Sequence, residues 1–195
     1  MAATLKIIPF FVPDSSLRQI ENLLAGAPAF GFYPLKTAQV ALIQTRIPGQ
    51  ADRLFAATEK VTADRLAVLG SEVMASPVCD HNKTDLAENI QNCMASGADI
   101  ILLCGGSAII DRQDELPQAV IEAGGQVIQL GLAVDPGNLL MFAKIGNVPV
   151  IGMPGCARSP YLNGLDWVLD LVLADVDMTR REFADMAAGG LLLEI

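Results

Sequence analysis

Within ADIILLCGGSAIIDRQDELP (98–117), two aspartates and a serine follow a pair of glycines closely enough to form one site. Gly105 and Gly106 lack a Cβ, so their backbone can come close to a ligand. Ser107 adds a hydroxyl, and the helix expected next can aim its free N–H groups at an anion. This arrangement suits a phosphate or a polar heterocycle. Asp111 sits mid-loop after an apolar pair, where a carboxylate binds a metal, accepts hydrogen bonds from a substrate, or is simply solvated. Asp114 precedes ELPQAV and reads first as a helix N-cap, ahead of any catalytic use.

A second candidate loop is MPGCARSP, where Pro154, Gly155, Arg158 and Ser159 precede a helix and Arg158 brings positive charge. Asp135-Pro136-Gly137-Asn138 is a good turn sequence. Thr45 and Gly49 end the first inner strand pattern and its loop. His81, the chain's one histidine, has no Ser, Cys or carboxylate at triad spacing and reads as a loop histidine without a special role. The nucleotide and hydrolase fingerprints GxGxxG, GxxxxGK[ST] and GxSxG are absent, which disfavours an ordinary dinucleotide dehydrogenase. Cys79, Cys93, Cys104 and Cys156 are scattered without CxxC spacing. They indicate neither a disulfide framework nor a zinc site, and none has the arginine six residues on that a phosphatase loop needs.

The elements that must position these residues alternate. Strands are expected at Ala38–Thr45, Glu72–Val78, Ile100–Leu103 and Gln126–Leu130. Helices are expected at Asp52–Leu69, at Thr84–Ala95 with Thr84 as cap, and at Glu115–Ala123. Leu139–Lys144 and Val148–Ile151, joined at Gly146-Asn147, suit a hairpin. Helices near Tyr161–Ala174 and Thr179–Met186 follow. This alternation argues for a doubly wound α/β sheet, mostly parallel, with its ligand loops gathered beyond the carboxyl ends of the strands. A leader at 1–36 carries a strand, Leu5–Val12, and a helix, Ser15–Leu24, capped by Ser15 or Asp14. The main domain spans 37–176, and 177–195 forms a last helix and a linker.

At 195 residues, 52% apolar and 18% charged, the chain can bury a sizeable core. The formal charge of −9 argues against nucleic acid as a partner. No apolar run reaches the ~18 residues of a membrane span, and no secretory signal is visible, so a cytoplasmic location is expected. The apolar excess leaves a homo-oligomer open.

Together these motifs resemble the molybdopterin-binding domain shared by molybdopterin adenylyltransferases and molybdotransferases, the gephyrin family. Gly105, Gly106 and Ser107 match its Gly-Gly-Thr/Val/Ser loop, and Asp114 matches its following Asp with one residue inserted. Pro136-Gly137 matches its Pro-Gly turn, and Gly152-Met153-Pro154-Gly155 its Gly-Leu-Pro-Gly loop. The likeness covers roughly 39–174 and is closer to a bacterial subgroup with the strings GxSAIxDRxD, VDPGNLL and PVIGxPGCARSPxxNGxDWVL. In that subgroup the domain precedes one resembling molybdenum cofactor cytidylyltransferases, which implies a fragment of a longer chain.

The resemblance implies a three-layer α/β/α sandwich with one antiparallel strand. It implies molybdopterin or the molybdenum cofactor as ligand, on Thr45, Gly49, Gly105, Gly106, Ser107, Pro136, Gly137, Asn138, Pro154, Gly155, Arg158 and Ser159. A nucleotidyltransferase domain or a recipient molybdoenzyme would be the partner. An enzymatic alternative is molybdate insertion or adenylyl transfer, with Asp114 or Asp111 catalytic and a divalent metal such as Mg assisting. A third reading is a structural or oligomerising domain with a decayed site, its loop filled by Ile109 and Ile110. The chain departs from the enzymes' pattern at Leu103-Cys104 and at TRIPGQAD, which lacks their Gly-Asp-Glu.

Overall fold

A computed structural model describes residues 9–25 and 31–192, and the chain divides into two compact units, Met1–Tyr33 and Pro34–Ile195. In the first, helix α1 (Asp14–Leu24) is capped at Pro13 with no side-chain bond, rather than by Ser15 or Asp14. The carbonyl of Pro13 accepts the N–H groups of Ser16 and Leu17 instead. Of the strand expected at Leu5–Val12, 5–8 lie outside the described residues and 9–12 carry no strand.

The second unit is built on a seven-stranded sheet. Its strands are β1 (Gln39–Arg46), β2 (Glu72–Ala75), β3 (Val78–Asp80), β4 (Ile100–Cys104), β5 (Gln126–Leu130), β6 (Met141–Ile145) and β7 (Val148–Gly152). The helices are α2 (Arg53–Val68), α3 (Lys83–Ala95), α4 (Glu115–Glu122), α5 (Gly164–Leu173) and α6 (Arg180–Asp185). The order is β2-β1-β4-β7-β6-β5, with β3 also on β1. β1 pairs in parallel with β2, β3 and β4, and β4 with β7. Only β6 runs antiparallel, to both β5 and β7, as the short Gly146-Asn147 connection requires. The mostly parallel sandwich with one antiparallel strand is therefore observed.

Alternate residues of the inner strands feed two cores. Val40, Leu42, Leu102, Phe142 and Ile151 pack with Leu66 of α2, Leu165 and Leu169 of α5, and Phe183 of α6. Ala41, Ile43, Ile101, Leu103 and Val150 pack with Leu86 and Ile90 of α3 and Leu116 and Val120 of α4. Burial on both faces is why β4 is apolar at every position. The chain steps outward from β1 to β2, then returns to β4 on the other side of β1. The loops after β1 and β4 consequently lead to helices on opposite faces, and a crevice opens between them.

Local chemistry moved some boundaries. The strand expected at Glu72–Val78 breaks at Ser76-Pro77, because proline has no N–H for the ladder, and β3 resumes to Asp80. α3 is capped by Asn82, whose side chain accepts from Asp85 N–H, not by Thr84. α5 begins at Gly164 behind an Asn163–Asp166 capping box.

Candidate functional site

The β4–α4 loop is tied to its neighbours through the peptide groups of its two glycines. Gly106 N–H donates to Thr45 Oγ1 at 2.8 Å, and Gln50 Nε2 donates to Gly106 O at 3.2 Å. Arg158 Nη2 donates to Gly105 O at 2.9 Å, while Nη1 donates to Thr58 Oγ1 at 3.0 Å. A Cβ on Gly106 would lie 2.8 Å from Ile47 Cγ2 and 3.2 Å from Thr45 O. Gly106 is thus required by close packing on the end of β1, a reason beyond the expected approach to a ligand. Gly49, at φ +87°, takes the position after Pro48 in the turn closed by Gln50 N–H to Ile47 O, where a type II turn needs glycine.

His81 is the residue that reading the sequence missed. Its Nδ1 lies 2.7 Å from Thr45 Oγ1 and its Nε2 lies 3.0 Å from Ser107 Oγ. Thr45, on β1, is 1% exposed, whereas Ser107 faces solvent. His81 thus bridges the end of β1 and the β4–α4 loop, which a loop histidine read from the sequence alone was not expected to do. Its position after the strand end was visible, but its two partners lie 36 and 26 residues away, beyond any spacing rule.

The acidic pair shapes its own loop. Asp114 Oδ2 accepts Ile110 N–H at 2.7 Å and Asp111 N–H at 2.9 Å. Those backbone hydrogen bonds, from Asp111 first, hold the Asp114 carboxyl below its ordinary pKa. Asp114 does occupy the N-cap position of α4, but its carboxylate turns back into the loop and makes no capping bond. Asp111 Oδ1 accepts Gln113 N–H at 2.8 Å in an exposed turn. Of the two apolar loop residues, Ile109 is buried in the core while Ile110 is 75% exposed.

A cleft of about 170 Å³ remains beside the loop, bounded by Gln50, Gly105, Ser107, Met153, Gly155 and Arg158. A second hollow, of about 380 Å³, lies at Ile47, Pro48, Asp80 and His81. Ser107 borders the first and His81 the second, so the bond between them spans the two rims. Pockets for small molecules span ~300–1,000 Å³; the second hollow falls in that range, and the first is smaller by itself and adjoins it through the Ser107–His81 contact. A Cβ on Gly155 would meet nothing within 4 Å, so this wall of the cleft is open. Pro154 is buried beneath it.

The other expected residues lie elsewhere. Ser159 O accepts from Arg65 Nη2 at 2.9 Å, and Arg65 Nε pairs with Asp166 Oδ1 at 2.6 Å. Ser159 therefore faces the α2–α5 contact. Pro136 O accepts Gly164 N–H at 2.9 Å, and Gly137, at φ +128°, would place a Cβ 2.4 Å from Gly164 N. Asn138 O accepts Leu132 N–H. This turn is seated on the start of α5 and does not border the cleft.

Among the described residues no group of three or more His, Cys, Asp or Glu is arranged to hold a metal ion. Cys79, Cys93, Cys104 and Cys156 are all free. Burial, then Asp85 and Asp80, pushes the Cys79 thiol up to about 11, and burial raises the other three. None is a thiolate nucleophile at neutral pH. No helix among the described residues is long and apolar enough to cross a membrane.

No protein-family model and no curated protein sequence matches this chain. Solved structures do. The molybdopterin biosynthesis Mog protein of Mycobacterium ulcerans is similar at 17% identity and TM-score 0.52, over 72% of this chain and 99% of that one. The molybdopterin biosynthesis MoeA protein of Pyrococcus horikosii matches at 21% identity and TM-score 0.46, over 86% of this chain. This chain spans 41% of that protein's length. The tungsten cofactor synthesizing protein MoaB of Pyrococcus furiosus matches at 16% identity and TM-score 0.48. At such identities the likeness concerns architecture: this chain shares the fold of the Mog protein.

Proposed function

We propose that this domain binds molybdopterin or the molybdenum cofactor in the carboxyl-edge cleft. It would present that ligand to a nucleotidyltransferase domain of the same longer chain, or to a recipient molybdoenzyme. The observation that carries this reading is a loop already fixed at the switch point, beside a cleft open at Gly155. Thr45, Gln50 and Arg158 already hold the peptide groups of Gly105 and Gly106, so little order has to be gained on binding. The fold shared with a protein described as serving molybdopterin biosynthesis supports the choice of ligand.

In this reading Ser107 and the loop backbone contact the ligand. Arg158 lends positive charge for its phosphate while bracing Gly105. Asp111, exposed on the loop beyond the residues that line the cleft, accepts from pterin ring N–H groups that project out of it, and Asp114 positions it. Asp114 Oδ2 already takes two backbone donors, which favours this supporting role over metal-assisted transfer. Anaerobic titration with molybdopterin, followed by pterin fluorescence, tests the proposal. Saturable binding is expected, and its absence would overturn the reading.

A further inference from the structure

The contacts of one buried hydroxyl fix the direction of a chain of hydrogen bonds that ends at the cleft. Thr45 Oγ1 accepts Gly106 N–H, and a hydroxyl has one hydrogen of its own to donate. Thr45 is buried, and among the described residues the acceptor in reach of that hydrogen is His81 Nδ1 at 2.7 Å. Nδ1 is therefore the acceptor, and the neutral ring carries its proton on Nε2. Nε2–H then donates to Ser107 Oγ at 3.0 Å. With that lone pair engaged, the Ser107 hydrogen is left to point away from the ring, on the rim of the cleft. The reverse direction would give Thr45 two donors and strand its own hydrogen in the interior.

We infer that Thr45, acting through His81, leaves the Ser107 hydrogen free toward the cleft, so that Ser107 offers a donor to a ligand group with an accepting oxygen. His81 and Thr45 are positioning residues. The same tautomer prevents His81 from taking the Ser107 proton, so the Ser–His pair is not an activated nucleophile, which requires an unprotonated nitrogen facing the hydroxyl. The accepting oxygen is a phosphate oxygen or a ring carbonyl. The inference rests on the proposed pterin ligand only for the identity of the oxygen.

The chain has one histidine, so its ring nitrogens can be read directly in a long-range ¹H–¹⁵N spectrum of the ligand-free protein. The expected result is protonated Nε2 and unprotonated, pyridine-like Nδ1. Thr45→Ser keeps that pattern and Thr45→Val loses it. An Nδ1–H tautomer in the wild type would overturn the inference, whether or not molybdopterin binds. In anaerobic titrations, His81→Phe and Ser107→Ala each weaken molybdopterin binding about tenfold, and Ser107→Thr restores it. The double variant His81→Phe/Ser107→Ala is no weaker than either single one, because both break the same chain. Additive losses would contradict the relay. Repeating the set with dephosphorylated molybdopterin separates the two oxygens: the His81→Phe loss disappears if the acceptor is phosphate and persists if it is the carbonyl. Failure of the wild type to bind molybdopterin, with the tautomer as expected, removes the ligand assignment and leaves the donor assignment standing.

Discussion

Arg158, on the turn after β7, donates from Nη2 to the carbonyl of Gly105 at the end of β4, 2.9 Å away. Its Nη1 reaches Thr58 on α2, so one guanidinium braces the glycine loop against a helix on the opposite side of the crevice. Lysine is a point charge on a flexible stem and cannot hold both acceptors in this fork geometry. Arg158→Lys should lower stability by about 1–3 kcal/mol in urea unfolding and should weaken ligand binding as well. An unchanged midpoint with unchanged binding would show that the brace is dispensable.

Two glycines beside the same cleft should respond in opposite ways. A methyl on Gly106 meets Ile47 and the backbone of Thr45, so Gly106→Ala should cost ~1–3 kcal/mol by forcing the loop off β1. A methyl on Gly155 meets nothing, and Gly155→Ala should stay within ~0.5 kcal/mol of the wild type. Thermal or urea unfolding of the pair checks this, and equal losses would contradict the packing described.

Arg65 and Asp166 form the most enclosed ion pair among the described residues, with side chains 6% and 21% exposed. Arg65 also satisfies the carbonyls of Ala157 and Ser159. Arg65→Met should destabilise by about 3–5 kcal/mol, since it leaves a half-buried carboxylate and two carbonyls without their donor. A midpoint near that of the wild type would mean that the β7–α5 loop is held by other contacts.

Asp114 has a folded pKa held below its ordinary value of 3.8 by the N–H groups of Asp111 and Ile110. Its stabilisation is therefore fully present above the unfolded value and is lost as pH falls through the depressed folded value. Asp114→Asn should flatten the acid limb of the stability–pH curve while leaving its slope above pH ~5 unchanged. The measurement is urea unfolding across acidic pH, and an unaltered acid limb would contradict the assignment.

Much of the architecture was legible because it rests on local signals. The apolar run of β4, the break at Gly105-Gly106 and the tight Gly146-Asn147 connection each follow from neighbouring residues. What escaped depends on contacts distant in sequence. His81 gains its meaning only when β3 lies beside β1, bringing Thr45 to one ring nitrogen while the β4 loop brings Ser107 to the other. Ser159 was expected at a phosphate, but Arg65, 94 residues earlier, draws its carbonyl to α2. Asp114 carries a capping residue's identity and position, yet two nearer N–H groups in its own loop compete successfully for the carboxylate.

In the proposed function the cleft beside Gly105–Ser107 and Gly155 holds the pterin. The most direct test is anaerobic molybdopterin titration of the wild type beside Gly155→Val, which adds a side chain in open space at a residue lining the cleft. Saturable wild-type binding, lost in Gly155→Val with the unfolding midpoint unchanged, is the predicted result. Undiminished binding by a stably folded Gly155→Val, or none by the wild type, would contradict it.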